Sequence, residues 1–279
     1  MITTMTSTNA QIKISLKKAI ALSTICIAAV ASSTLSVPSA FAQYGLGLPK
    51  SASSGGATRG DLPQLTILVP DDGAKTLSSR PTFYWYIAPA NIASTSSTTA
   101  PQVDDVKGSF KVTFFLRDGN ERKSQPVFVA EGKAEESGLY KFTLPESAPE
   151  LVKGKVQRWQ IRWQGSGGAV QVDVNAPIRR DDDPAVLKAI ALAKNDLEKA
   201  RIYAKNAYWY DAVDYYTIWL SQNPKDEIAR TERNKLLKEG LQTNVAFSEE
   251  RKGSLPILLG KLDESKPAIL LVLQPKIRR

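Results

Sequence analysis

Histidine is absent from this chain of 279 residues, and cysteine occurs once, at Cys26. A disulfide within one chain needs two cysteines. Structural zinc sites draw on Cys and His, the Ser-His-Asp and Cys-His nucleophile systems need His, and haem iron is held by His or Cys. All four chemistries are excluded, and no cofactor, metal or catalytic residue is expected. Cys26 reads as an apolar filler, because a lipid-acceptor cysteine would follow a small residue and Ile25 precedes it. Long apolar runs are lacking too: Ala19–Val30 falls well short of the ~20 residues that a membrane span requires. Clustered charge of one sign is also missing. The 37 basic and 28 acidic residues leave a net charge of +9, spread along the chain without the basic, aromatic-studded stretch of a nucleic-acid groove.

The first 42 residues carry Lys13, Lys17 and Lys18 and no acid. A basic start, a short apolar run and the small-x-small triplet Ala40-Phe41-Ala42 form an export signal with cleavage expected before Gln43. The expected address is the periplasm or the extracellular space, with no stable membrane span after cleavage. Residues 43–61 are rich in Gly and Ser and read as a flexible linker.

From Leu65 the hydrophobic period becomes two. Leu65, Ile67 and Val69 alternate up to the turn cluster Pro70-Asp71-Asp72-Gly73. The run Arg80–Pro89 (RPTFYWYIAP) is the strongest strand signal in the chain. Alternation puts Phe83, Trp85 and Ile87 on a core face and leaves Tyr84 and Tyr86 for a wet or partner-covered face. Phe110, Val112, Phe114 and Leu116 alternate into Asp118-Gly119-Asn120, and Val127 and Val129 return as a hairpin partner. Further strands are expected near Leu139–Leu144, at Val156–Trp163 and through Val170, Val172 and Val174. Seven short strands predict an antiparallel, immunoglobulin- or fibronectin-like β-sandwich over residues 62–178.

Asp183 and Pro184 read as the N-cap and first position of a helix. Residues 182–250 form the expected helical region, with Leu187, Ile190, Ala191, Lys194 and Leu197 spaced along one helix. The stretch from Ala200 to Asp226 resembles a single tetratricopeptide-like hairpin ending near Pro224. Residues 251–279 are a tail, expected to be disordered or an edge strand.

Five segments together resemble the cyanobacterial secreted proteins of the domain-of-unknown-function family 928. They are SGGATRG at Ser54–Gly60, the run Leu65–Pro89, FTLPESAP at Phe142–Pro149, GKVQRWQIRW at Gly154–Trp163 and YAKNAYWYDAV at Tyr203–Val213. The resemblance implies an exported cyanobacterial protein and carries no established activity or site.

The expected function is a non-catalytic envelope adaptor with a protein partner. Tyr84, Tyr86, Tyr208, Trp209, Tyr210, Tyr216 and Trp219 are its candidate contacts, since aromatics dominate many interfaces. The alternative is a carbohydrate-binding module for peptidoglycan or exopolysaccharide. Two carboxylate pairs, Glu146 with Glu150 and Asp211 with Asp214, have spacings that acid–base catalysis could use, but they read as solvated surface acids.

Overall fold

A computed structural model describes residues 44–51, 54–55, 65–88, 110–164, 171–242, 254–264 and 267–276. The export signal, linker residues 43, 52–53 and 56–61, and the Ser/Thr-rich stretch 93–108 lie outside the described residues. The described chain is predominantly β, with a helical part toward its C-terminal side.

Eleven strands form two sheets among the described residues. The first sheet contains β1 (Ser54–Gly55), β2 (Leu65–Ile67), β4 (Thr82–Ile87), β7 (Gly138–Thr143) and β10 (Ile269–Leu270), in that spatial order. The second runs β11 (Gln274–Pro275), β6 (Pro126–Ala134), β5 (Phe110–Arg117), β8 (Val156–Gln164), β9 (Gln171–Arg180) and β3 (Ala74–Thr76). The seven expected strands are β2 and β4 to β9. Their alternating faces meet between the sheets, where the Phe83 ring lies 5.0 Å from Phe114 and 4.6 Å from Trp159. Phe83, Trp85, Phe114, Trp159 and Ile161 are wholly buried, each stabilising the fold by roughly 1.5–3 kcal/mol.

The sheets are not wholly antiparallel, which corrects the sequence expectation. β3 lies parallel to β9, and β10 lies parallel to β7. Parallel neighbours need a long crossover, and both pairs are formed by segments far apart in the chain. β1, β3, β10 and β11 are two or three residues long, too short for alternation to reveal. The expected turn at Pro70–Gly73 is present: Gly73 adopts φ +84°, and its N–H donates to the Pro70 carbonyl at 2.9 Å. A Cβ at Gly73 would overlap the Pro177 carbonyl of β9, so glycine is required there for space as well as for backbone angle.

Among the described residues five helices follow: α1 (Pro184–Leu192), α2 (Asp196–Lys205), α3 (Trp209–Gln222), α4 (Glu227–Leu241) and α5 (Ser254–Glu264). Asp183 caps α1 as expected, its carboxylate accepting from the Val186 N–H at 3.1 Å. The helix expected through Leu197 instead breaks at Ala193–Asn195. Asn195 caps α2, accepting from the Glu198 N–H at 2.9 Å, and Asp196 and Glu198 complement the new helix dipole. The break separates the buried Leu197 from Leu187 and Leu192, which remain exposed.

α3 ties the helices to the sheets. Its first turn closes one end of the space between them: the Tyr210 ring meets Phe83 edge-on at 5.8 Å, and the Trp159 indole N–H donates to the Tyr210 hydroxyl at 2.7 Å. The following turn crosses the outer face of β4. α4 comes so close to α3 that a Cβ at Gly240 would overlap the Trp209 ring.

Of the tail, residues 251–253, 265–266 and 277–279 lie outside the described residues; the rest forms α5, β10 and β11. Leu255 and Leu258 are buried from α5, and Leu271 and Leu273 from the segment between the two short strands. Because β10 pairs with β7 and β11 with β6, residues 269–275 lie across one edge of both sheets. Among the described residues, no helix is long and apolar enough to cross a membrane.

Candidate functional site

Where α3 crosses the start of β4, a cleft of about 250 Å³ opens between the Leu77–Thr82 segment, α1 and the α2–α3 pair. Its apolar wall includes Leu77, Pro81 and Leu187, and Tyr203 and Tyr215 form the far side. Those two rings stack at 5.4 Å and hold α2 against α3. Asp211 and Asp214 also line the cleft. Three residues apart on α3, they occupy neighbouring positions on one helix face.

Each carboxylate is held by neutral donors. Asp211 accepts from the Leu77 N–H at 3.0 Å and also bonds the Thr76 hydroxyl. Asp214 accepts from the Tyr84 hydroxyl at 2.6 Å and the Thr82 hydroxyl at 3.1 Å. Burial pushes Asp211 up to about 6, because the donated hydrogen bonds offset only part of the desolvation. Asp214 is raised for the same reason, opposed first by its Tyr84 and Thr82 bonds. Tyr84 is in turn raised by its own burial and by the Asp214 charge, which keeps it a protonated donor.

Cations are scarce around the pair. Lys141 lowers Asp214 less than its hydrogen bonds do, and at Asp211 burial and hydrogen bonding outrank every charge. Arg80 lines the same cleft but donates to the Pro145 and Ala148 carbonyls. The arrangement is a half-open polar cavity with two acceptor groups on its floor, suited to binding a donor-rich or cationic group. Among the described residues, no group of three or more His, Cys, Asp and Glu side chains is placed to hold a metal.

The seven aromatics expected as contacts lie elsewhere or beneath the surface. Tyr84 and Tyr86 are 3% and 4% exposed. The face of β4 that alternation left wet or partner-covered is overlaid by the chain's own helices: Tyr84 bonds α3, and Tyr86 feels Lys261 and Glu264 of α5. Tyr208, Trp209, Tyr210 and Tyr216 are buried as well. Tyr208 donates to Asp183 at 3.1 Å, the Trp209 indole to the Leu68 carbonyl at 2.9 Å and Tyr216 to Glu232 at 3.2 Å. Trp219 is partly buried, its indole N–H donating to Asp226 at 2.8 Å. Of the seven, only Tyr210 lines the cleft. Asp211 and Asp214 are therefore not the solvated surface acids expected above; their position within WYDAVDYY, flanked on both sides by aromatics, is the signal of burial.

The molecule is thus a two-sheet domain with helices laid over one end and one face, and an acidic cleft at the junction. The chain belongs to the family described as Domain of Unknown Function (DUF928), whose sequence model matches residues 54–249. No curated protein matches it.

Proposed function

We propose that this protein is an exported, non-catalytic envelope adaptor that docks a basic, amphipathic segment of another protein along α1 and the adjoining cleft. The observation that carries the reading is α1 itself. Its sequence, PAVLKAIAL, has one charged residue, yet Val186 is its only buried one. Leu187 and Leu192 are 44% and 75% exposed. A helix that is apolar nearly all round is normally covered, and exposed apolar surface rimmed by polar groups marks interaction sites. The rim supplies the partner's chemistry: Leu187 also borders the cleft, whose two carboxylates form no ion pair among the described residues, so the covering segment should be apolar with a positive charge.

The finer architecture is part of the same proposal. The group β2-β4-β7 facing β6-β5-β8-β9, with consecutive strands switching sheets, supports an immunoglobulin- or fibronectin-like sandwich. The three-residue connection between α2 and α3, and the packing of Tyr203 on Tyr215, support a tetratricopeptide-like hairpin. Export rests on the basic start, the short apolar run and the Ala40-Phe41-Ala42 triplet. A carbohydrate-binding role gains less support, since stacking on sugar needs exposed aromatic faces and the expected ones are largely buried.

The test is to pan random displayed peptides on the immobilised protein and repeat the selection on a Leu187→Asp/Leu192→Asp variant. Enrichment of apolar–basic helical sequences that lose binding to the variant, with its circular dichroism unchanged, is the expected outcome. No shared pattern, or equal binding to both proteins, would overturn the reading.

A further inference from the structure

We infer that the cleft between the Leu77–Thr82 segment, α1 and α3 is a receptor for one alkylammonium or guanidinium group, presented by a lysine or arginine side chain of the docking segment. The source of that side chain rests on the adaptor reading; the charge preference of the cleft does not.

Size is the first argument. At about 250 Å³ the cavity lies below the roughly 300–1,000 Å³ of pockets that enclose a whole small-molecule ligand, which suits a single inserted side chain. Lining is the second. Leu77, Pro81 and Leu187 offer apolar surface to a methylene stem, while Asp211 and Asp214 lie where its charged tip would end. Long basic side chains divide their surface in this way, with the stem on apolar groups and the head on polar ones.

Charge is the third argument. Buried carboxylates are ordinarily paired with a cation, and neither of these has one in contact among the described residues. Their hydrogen bonds come from an amide and from hydroxyls, which leave the negative charge in place. Arg80 does not neutralise it, since its guanidinium is committed to two carbonyls. Tyr215 already has the Lys199 ammonium over its ring at 5.2 Å. That face is occupied, so the attraction for an incoming cation falls to the carboxylates.

The experiment is a titration of the full-length protein, followed by amide and side-chain NMR shifts, with doubly capped arginine, lysine and norleucine up to millimolar concentration. Norleucine keeps the stem and lacks the charge. The expected result is that arginine and lysine shift signals of Leu77–Thr82 and Asp211–Tyr215 while norleucine does not. Asp214→Asn should weaken the cationic probes by about tenfold or more, the scale of one lost charge-assisted hydrogen bond. Equal response to norleucine, shifts confined to other surfaces, or no localised shift would overturn the assignment. Thermal melting of Asp214→Asn separates lost binding from lost folding.

The two readings fail separately. If the capped cations bind the cleft while the α1 variant still binds selected peptides normally, the adaptor surface is wrong and the receptor stands. If peptides depend on α1 but bind Asp214→Asn as tightly as wild type, and the capped cations bind nowhere in the cleft, the receptor is wrong and the adaptor stands.

Discussion

Asp211 has an ionisation that works against the fold. Folding raises its pKa from an ordinary 3.8 to about 6, so between those values the native chain holds a proton that the unfolded chain has released. Its contribution is therefore most favourable below about pH 4 and declines as pH rises to about 6. Keeping the charged form buried above that range costs on the order of 3 kcal/mol. Asp183 and Asp226 slope the other way, because backbone amides at their helix starts lower their pKa values. A comparison with Asp211→Asn isolates the one residue, since asparagine still accepts from the Leu77 N–H. The variant should be the more stable protein at pH 8 and lose that advantage by pH 4, as read from urea midpoints. A gap that is the same at every pH would show that ionisation of Asp211 is not its source.

The strands were legible wherever alternation ran for several residues. Val112, Phe114 and Leu116 point inward as their period of two requires, and all three are fully buried. Asp183-Pro184 marked a helix start because capping is local chemistry. What covers the other face of a strand is not local: alternation separates Tyr84 and Tyr86 from Phe83 and Trp85, but it says nothing of a helix arriving from 130 residues later in the chain. The same limit hid the cleft, whose acids belong to α3 and whose donors belong to the β3–β4 segment. Asn195 was missed for the opposite reason. Its capping signal was present, but the apolar spacing from Leu187 to Leu197 ran straight across it.

Gly240 tests helix packing at this same scale. Alanine would favour α4 by about 1 kcal/mol on intrinsic propensity. Its Cβ, however, would overlap the Trp209 ring, and overpacking of that kind costs roughly 1–3 kcal/mol. Trp209 is wholly buried and bonded to the Leu68 carbonyl, so it has little room to yield. Gly240→Ala should therefore lower the melting temperature despite its better propensity. A rise would show that α4 shifts freely on α3.

For the molecule as a whole, the tail is part of the structure although it lies wholly beyond the family match, which ends at residue 249. α5 and residues 269–275 bury Leu255, Leu258, Leu262, Leu271 and Leu273. Deleting 254–279 removes that apolar surface, uncovers Tyr86 and bares the edges of β7 at Tyr140–Lys141 and of β6 at Ala130–Glu131. The expected outcome is a fall in melting temperature on the order of 10 °C or more, with concentration-dependent association on size exclusion as the bared edges pair between copies. A truncated chain that stays monomeric and melts like the full one would make the tail an appendage.

The placement of residues 269–275 also sets a timetable. They follow every other described element in the chain, so a ribosome delivers them after the strands they pair with, and a channel that threads the chain N-terminus first does the same. Both sheets can be assembled before that moment, but each keeps one open border while the remaining residues arrive. Completion then comes as a single late event, in which one short piece of chain pairs with a border strand of each sheet. Until then the edges of β6 and β7 stay open to pairing with another chain, and the interval lasts as long as synthesis or passage of the residues between β9 and β10 takes.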